Sequence, residues 1–394
     1  MHPSKSVSRR HFVGGATTAL AYLGLKPGAD LWAQGVNRLP SPYEQEVDQY
    51  DAFAKLHFNE NPYGPSESMM EAMNMAFKYS NRYGYPDGDI REVIADHHGV
   101  PSDHILLGAG SGEILKVVGV TFLAPGKKVV GVDPSYGSVY SHATGIHADA
   151  IKLPLLEDFR QDIPAIVNAT EINYRDVGFV YLCNPNNPTG RTVSADEVRQ
   201  LLDGIPPDVL VLIDEAYHHF VEDPTYATSV PYVLEGRRVI IARTFSKIFG
   251  MAGMRLGYAV ARPEILQRMR PFSTGSINAL VKWGGVAALA DNESEKRVRE
   301  TTLRLRKQTV AELETLGYPV IPSETNFFMV HTGRPPREVR TDFRAHGVLV
   351  GRPFPPLLEH LRVSIGTSGE MERFMTAFKE IFPVRASTAG SSTG

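Results

Sequence analysis

The sequence predicts an α/β fold in which a large, mostly parallel sheet lies between helices, with a smaller α+β domain beside it. Short β-branched runs alternate with longer segments of helical spacing. The runs are continuously apolar, the pattern of strands covered on both faces. At 394 residues the chain exceeds the size at which one core usually keeps growing, so two folded domains are expected.

In chain order, Ser8-Arg9-Arg10-His11-Phe12 is followed by an apolar stretch over residues 13–25 and then by Ala29-Asp30-Leu31-Trp32-Ala33-Gln34. A charged, an apolar and a cleavage region in that order read as an export leader over residues 1–34. The apolar stretch falls short of the roughly 20 residues needed to cross a bilayer, so no stable membrane span is expected. Paired arginines before Phe12 resemble the twin-arginine class. That resemblance implies the twin-arginine export machinery as a partner and a periplasmic or secreted location; the alternative is a basic tail on a cytoplasmic protein. Residues 35–52 are polar and proline-containing and read as a linker.

Residues 53–75 are expected to contribute to the small domain, 76–285 to form the large domain and 286–385 the small one. Strands are expected at 104–107, 128–132, 177–183, 209–213 and 239–242. A charged helix over 289–316 should lead into the second domain, with strands at 326–330, 347–350 and 361–365 and a final helix at 370–382. The small-residue tail 386–394 is expected to be disordered.

A formal net charge of -3 with both signs interspersed gives no basic stripe, which argues against nucleic acid as a partner and favours a small substrate. Cys183 is the single cysteine, so an intrachain disulfide and a cysteine metal cluster are excluded, and its apolar run reads as the site of a buried structural thiol. No metal is expected.

The chemistry-bearing strings all follow predicted strands, where ligands gather in open α/β sheets. Gly108-Ala109-Gly110-Ser111-Gly112-Glu113 opens a helix and offers free amides to an anion, or is a plain tight turn. Its spacing does not fit the dinucleotide fingerprint. Asp133-Pro134-Ser135-Tyr136-Gly137 places an aromatic ring that stacks on a flat cofactor or fills a core-edge turn. In Asn184-Pro185-Asn186-Asn187-Pro188-Thr189-Gly190 two prolines restrict the backbone, holding Asn187 in one direction as a donor. Asp214 ends an apolar run, where a buried carboxylate needs a cation such as a protonated pyridine nitrogen; the alternative is a helix cap. Tyr217, three residues on, is within reach of a ring hydroxyl. Thr244-Phe245-Ser246-Lys247 adds two hydroxyls and a lysine that is either a Schiff-base residue or a surface residue with a buried stem. Arg255, eight residues further, offers a forked cation suited to phosphate. A lysine, an acid, a guanidinium and a nest of hydroxyls are the parts a pyridoxal phosphate enzyme needs, which points to amino-group chemistry.

Asn187-Pro188-Thr189-Gly190, Asp214-Glu215-Ala216-Tyr217 and Ser246-Lys247 with Arg255 together resemble the class I/II aminotransferases of fold type I. Asn59-Glu60-Asn61-Pro62-Tyr63-Gly64, Arg82-Tyr83-Gly84-Tyr85-Pro86-Asp87 and the string from Cys183 to Gly190 narrow the resemblance to the histidinol-phosphate aminotransferase group, over residues 53–383. The resemblance implies pyridoxal 5'-phosphate as cofactor, with Lys247 as its covalent anchor and proton carrier and Asp214 on the ring nitrogen. It implies Asn187 and Tyr217 on the ring hydroxyl, Tyr136 stacked on the ring, and Gly110, Ser111, Thr244, Ser246 and Arg255 round the phosphate. Arg362 would take the substrate carboxylate or phosphate, and Arg352 and Tyr63 would face its distal end. Tyr85 would reach the cofactor phosphate of a partner in a homodimer with shared sites, although the extra Gly84-Tyr85 before Pro86 gives Tyr83 the same opportunity. The implied reaction exchanges an amino group between an amino acid or amino-phosphate donor and a 2-oxo acid such as 2-oxoglutarate. The alternatives are a lyase of the same fold, of the threonine-phosphate decarboxylase kind, and a broad aromatic amino acid aminotransferase. A nicotinamide oxidoreductase would leave Lys247 and Asn187 without a task.

Overall fold

Twelve strands are present among the residues described by the computed structural model, 50–123 and 125–384. The expected leader, nearly all of the expected linker and the expected C-terminal tail lie outside the described residues. The chain divides after Ala52, and every candidate site residue belongs to the unit that begins at Phe53.

Seven strands build the large sheet: β2 (Ile105–Gly108), β3 (Lys128–Val132), β4 (Asp149–Leu153), β5 (Val177–Cys183), β6 (Leu210–Asp214), β7 (Val239–Thr244) and β8 (Gly257–Ala261). Their order is β2-β8-β7-β6-β5-β3-β4. The neighbours from β4 to β7 are parallel, and β8 runs antiparallel between β7 and β2. Along β6, Val211 and Ile213 enter one hydrophobic cluster and Leu210 and Leu212 the opposite one. Successive side chains point to opposite faces, so burial of both faces requires an unbroken apolar run. Each such side chain, at 1% exposure or less, contributes about 1.5–3 kcal/mol relative to exposure.

The smaller lobe has β1 (Ala54–Leu56) paired in parallel with β11 (Val348–Val350), and an antiparallel sheet in which β10 (Phe327–His331) lies between β12 (His360–Ser364) and β9 (Val320–Ile321). Its core joins Ala54, Leu56, Phe328, Val330, Leu361 and Val363 with Phe374 and Phe378 of the last helix, Ser368–Ile381. That helix starts at a capping box, Thr367 with Glu370.

The expected helix over 289–316 is two. Ala279–Ala290 ends at Asp291, whose side chain accepts from the Ser294 amide and opens a second helix, Asn292–Thr315. Val298 and Leu303 of that second helix enter a large-lobe core, whereas Leu305 and Leu313 enter the small one. Residues 53–75 are likewise shared, since β1 lies in the small-lobe core while Met69 and Met73 of helix Glu67–Ala76 enter the large one. No helix among the described residues is long and apolar enough to cross a membrane.

Candidate active site

Strand register assembles the site. Cys183 pairs with Asp214, and Asp214 with Ala242, so the loops after β5, β6 and β7 leave one edge of the sheet at the same height. They surround a cavity of about 220 Å³ lined by Ser111, Tyr136, Asn187, Asp214, Tyr217, Thr244, Ser246, Lys247 and Arg255, together with Phe58, Glu60, Gly112, Cys183, Ala216 and Ala252.

Asp214 forms the floor at 3% exposure. One carboxylate oxygen accepts from the Ala216 amide at 3.2 Å and the other from the Tyr181 hydroxyl at 3.3 Å. Burial pushes its pKa up to about 6, against the lowering effects of these bonds and of Lys247. No arginine or lysine hydrogen-bonds to it among the described residues, so the floor fits a cationic ring nitrogen. The adjacent Glu215 serves the scaffold: it is fully buried, 2.6 Å from Arg243, and accepts from the Ser229 amide.

At one end of the cavity the helix Ser111–Phe122 presents its N-terminus behind Gly110, whose φ is +78°. A side chain at Gly110 would collide with the Arg255 guanidinium. Arg255 donates to Ser246 Oγ at 3.3 Å and to the Ala109 carbonyl at 3.2 Å, and Thr244 Oγ1 donates to Ser246 Oγ at 2.9 Å. Free amides at a helix start, a guanidinium and three hydroxyls form a cradle suited to a phosphate.

Lys247 lies between cradle and floor. Its Nζ donates to the carbonyls of Phe58, at 3.3 Å, and Asn59, at 3.0 Å, and lies 5.4 Å from the centre of the Tyr217 ring. Burial, with Arg362 adding to it, pulls its pKa down to about 8. A pKa nearer neutrality than an ordinary lysine's gives a neutral fraction of roughly one tenth at pH 7, which favours a nucleophilic and proton-carrying amine. Tyr217 packs edge-on against Phe327 at 5.1 Å, and its hydroxyl accepts from Asn187 Nδ2 at 3.3 Å and from Asn59 Nδ2 at 3.1 Å. The Asn187 amide also accepts from Arg362 Nη1 at 2.8 Å.

Arg362 therefore joins the site through Asn187 rather than through the cavity wall. Its other end donates to the His57 carbonyl at 2.7 Å, and its guanidinium lies 4.7 Å from the Phe354 ring, with Arg352 4.2 Å from that ring. Two expected site residues lie elsewhere. Tyr63 lines a separate cavity of about 330 Å³, shared with Asn61, Ile248, Glu295 and Arg297, and its backbone N–H donates to Asn61 Oδ1 at 3.0 Å. Tyr85 donates to the Ile277 carbonyl of its own chain at 2.8 Å, whereas Tyr83 is fully exposed. Conversely, Asn59, Tyr181 and Gly112 belong to the site although the sequence reading assigned them no role. Only the motif around Asn59 pointed to it.

The residues fit pyridoxal phosphate at three separate places: a buried acid without a cation, a lysine with a depressed pKa, and a cradle whose guanidinium packs where a Cβ on Gly110 would stand. Residues 52–378 match the family model of aminotransferase class I and II. The chain is 38% identical to the histidinol-phosphate aminotransferase of Symbiobacterium thermophilum over 345 residues, 85% of this chain and 92% of that protein. It is 39% identical to the corresponding protein of Moorella thermoacetica over 338 residues, 83% and 85% of the two chains. The structure of histidinol-phosphate aminotransferase from Sinorhizobium meliloti in complex with pyridoxal-5'-phosphate superposes with a TM-score of 0.78 at 25% identity, over 91% of this chain and 98% of that one. Fold, site chemistry and sequence likeness agree: the chain belongs to the class I and II aminotransferases and is a pyridoxal-phosphate-dependent transaminase.

Proposed function

We propose that the chain moves an amino group from a donor with an anionic distal group, of the histidinol phosphate kind, to a 2-oxo acid such as 2-oxoglutarate. The observation that carries this reading is Arg362. It is 6% exposed, burial lowers its pKa to about 10, and no carboxylate pairs with it among the described residues. A buried guanidinium without a counter-ion is costly unless an anion arrives. Its two bonds, to Asn187 and His57, leave N–H groups to spare. Arg352, across Phe354, adds a second positive group for the distal end of the donor.

Bound pyridoxal phosphate supplies an aldehyde carbon that takes up the amino group and a ring that accepts the electron pair released at the substrate carbon. The chain's residues do the rest. Asp214 would keep a proton on the ring nitrogen, Asn187 and Tyr217 would bind the ring hydroxyl, Tyr136 would pack against the ring, and the cradle of Ser111, Thr244, Ser246 and Arg255 would hold the phosphate. Lys247 Nζ, buried between cradle and floor, would hold the cofactor's aldehyde end and would be the group placed to carry a proton there. A donor screen tests the assignment: histidinol phosphate, aromatic, acidic and basic amino acids are added singly, and the change of the bound cofactor from aldehyde to amine form is followed by absorbance. Preference for phosphorylated or acidic donors is expected. Carbon dioxide release without a new amino acid would replace the assignment with a lyase.

Two further parts belong to this reading. The first is a homodimer with shared sites, in which Tyr83 is the better candidate than Tyr85 to reach a partner's phosphate cradle, because the Tyr85 hydroxyl is used within its own chain. The second is export by the twin-arginine route to the periplasm or beyond, supported by Arg9 and Arg10 ahead of a short apolar stretch. Retention of an active protein in the cytoplasm by Arg9→Lys with Arg10→Lys is the expected result, and a wild-type protein found unprocessed in the cytoplasm would remove the export reading.

A further inference from the structure

We infer that Asn59, held by Ser364, is a positioning residue that sets the direction of the Tyr217 phenol proton. The inference rests on the site being a pyridoxal phosphate pocket. Asn59 is 1% exposed and sits at φ +55°, a left-handed conformation that asparagine tolerates better than most residues. Its amide orientation follows from its partners. The backbone N–H of Asn59 donates to Ser364 Oγ at 2.8 Å, and the Ser364 hydroxyl donates to Asn59 Oδ1, 2.9 Å away. That makes Oδ1 an acceptor and leaves Nδ2 to donate to the Tyr217 hydroxyl at 3.1 Å. The same logic fixes Asn187. Its Oδ1 accepts from Arg362, so its Nδ2 is the second donor to Tyr217, at 3.3 Å.

Two amides therefore occupy the acceptor side of one phenol oxygen. The remaining valence of that oxygen is its O–H, for which no acceptor exists among the described residues, while Tyr217 lines the cavity. The proton is left to point at the ligand, where it can meet the ring oxygen of the cofactor. Without Asn59 the phenol regains rotational freedom and a free acceptor face. The device spans the two lobes: Ser364 and Arg362 are two positions apart on β12, so they leave the same face of that strand, one orienting Asn59 and the other Asn187. Asn59 also accepts from Lys247 through its carbonyl, at 3.0 Å, and that carbonyl is shared with Asn326 Nδ2 at 3.0 Å.

The test is the pH titration of the visible band of the bound cofactor in the resting holoenzyme, without substrate. A hydrogen bond from Tyr217 favours the unprotonated chromophore, so Tyr217→Phe should move the midpoint up by about one unit, the worth of one bond to a charged group. Asn59→Gly, which fits φ +55° without strain, should move it in the same direction by at least about half as much. In a Tyr217→Phe background Asn59→Gly should add almost nothing, since the route of its side chain to the cofactor is gone and the backbone carbonyl that meets Lys247 is present in both variants. Ser364→Ala, which leaves Asn59 in place but frees its amide to flip, should give a smaller shift of the same sign that also vanishes in that background. Equal shifts in both backgrounds, or no shift from Asn59→Gly, would overturn the inference. A wild-type protein with no visible band that borohydride can fix on Lys247 would instead remove the cofactor reading, and the inference with it.

Discussion

The two lobes reach the active site by different routes. In the large lobe each functional residue stands within a few positions of the end of a strand: Asp214 closes β6, Asn187 follows β5 and Lys247 follows β7, at heights set by the pairing of Cys183, Asp214 and Ala242. The small lobe contributes by long-range contacts. Arg362 meets Asn187 across 175 positions, and Ser364 meets Asn59 across 305. On the proposed reading the sheet would fix the cofactor through its own register, while the small lobe would supply charge for the substrate and direction for a proton through side chains. Substitutions in the large lobe should therefore damage the chemistry for all substrates, and substitutions in the small lobe should separate one substrate from another.

The strongest test of that division is Lys247→Ala. It should abolish turnover with every donor, because anchor and proton carrier are one atom, and borohydride should no longer fix the cofactor to the chain. Borohydride labelling of another lysine in the wild type would move the site elsewhere.

Asp214→Asn comes next. Removing the charge that holds the ring-nitrogen proton should lower kcat by about 10²–10³, on the scale of preorganised electrostatic groups. Its effect on stability should have the opposite sign. In the cofactor-free fold Asp214 keeps its proton up to about pH 6, whereas an unperturbed aspartate loses it near 3.8. The stabilising contribution is complete below pH 4 and is lost as the pH rises through 6. At pH 7 the cofactor-free wild type therefore carries a penalty on the order of 3 kcal/mol that Asp214→Asn removes. Denaturant midpoints of the two apoproteins from pH 4 to 8 check this, and parallel curves would show that the carboxylate is not strained by burial.

The small-lobe variants should be milder and more selective. Arg362→Ala should lower kcat/KM by about 1.5–3 kcal/mol for anionic substrates, the range for bonds to charged groups. Arg352→Ala should have the smallest effect, weakening donors with a distal anion by about tenfold or less and sparing apolar ones. Equal effects on phosphorylated, acidic and aromatic donors would turn the pocket into that of a broad amino acid aminotransferase and end the functional contrast between the lobes.

The same contrast explains what could be read in advance. β3 and β5 lie where their apolar runs predict, and β6 and β7 are displaced by no more than two residues at an end, because burial on both faces leaves a continuous signature. β4 was missed because it is an edge strand with exposed and half-buried positions, and β8 because Gly257-Tyr258-Ala259 is poor in β-branched residues and follows the Lys247 loop closely. That Asp214, Asn187, Lys247 and Arg255 would line one cavity was legible because loops that follow neighbouring strands leave the sheet at one edge. The role of Asn59 was not, since it depends on a serine 305 positions away. That Tyr63 lines a different cavity from Lys247 was illegible for a related reason: a motif names neighbours in the chain, and the folded backbone decides which cavity each one lines.

The helix Asn292–Thr315 has 24 residues, a length of about 36 Å at the usual rise, and its two halves are rooted in different cores. It acts as a lever. Tilting its far half, some 18 Å long, by about 5° would displace the tip by about 1.5 Å. A displacement of that size exceeds the tolerance of a hydrogen bond. A tilt of the small lobe on that scale would therefore strain the Arg362–Asn187 and Ser364–Asn59 bonds, and its reversal would restore them. Arrival of an anion at Arg362 and alignment of the Tyr217 proton would then be successive phases of a single stroke.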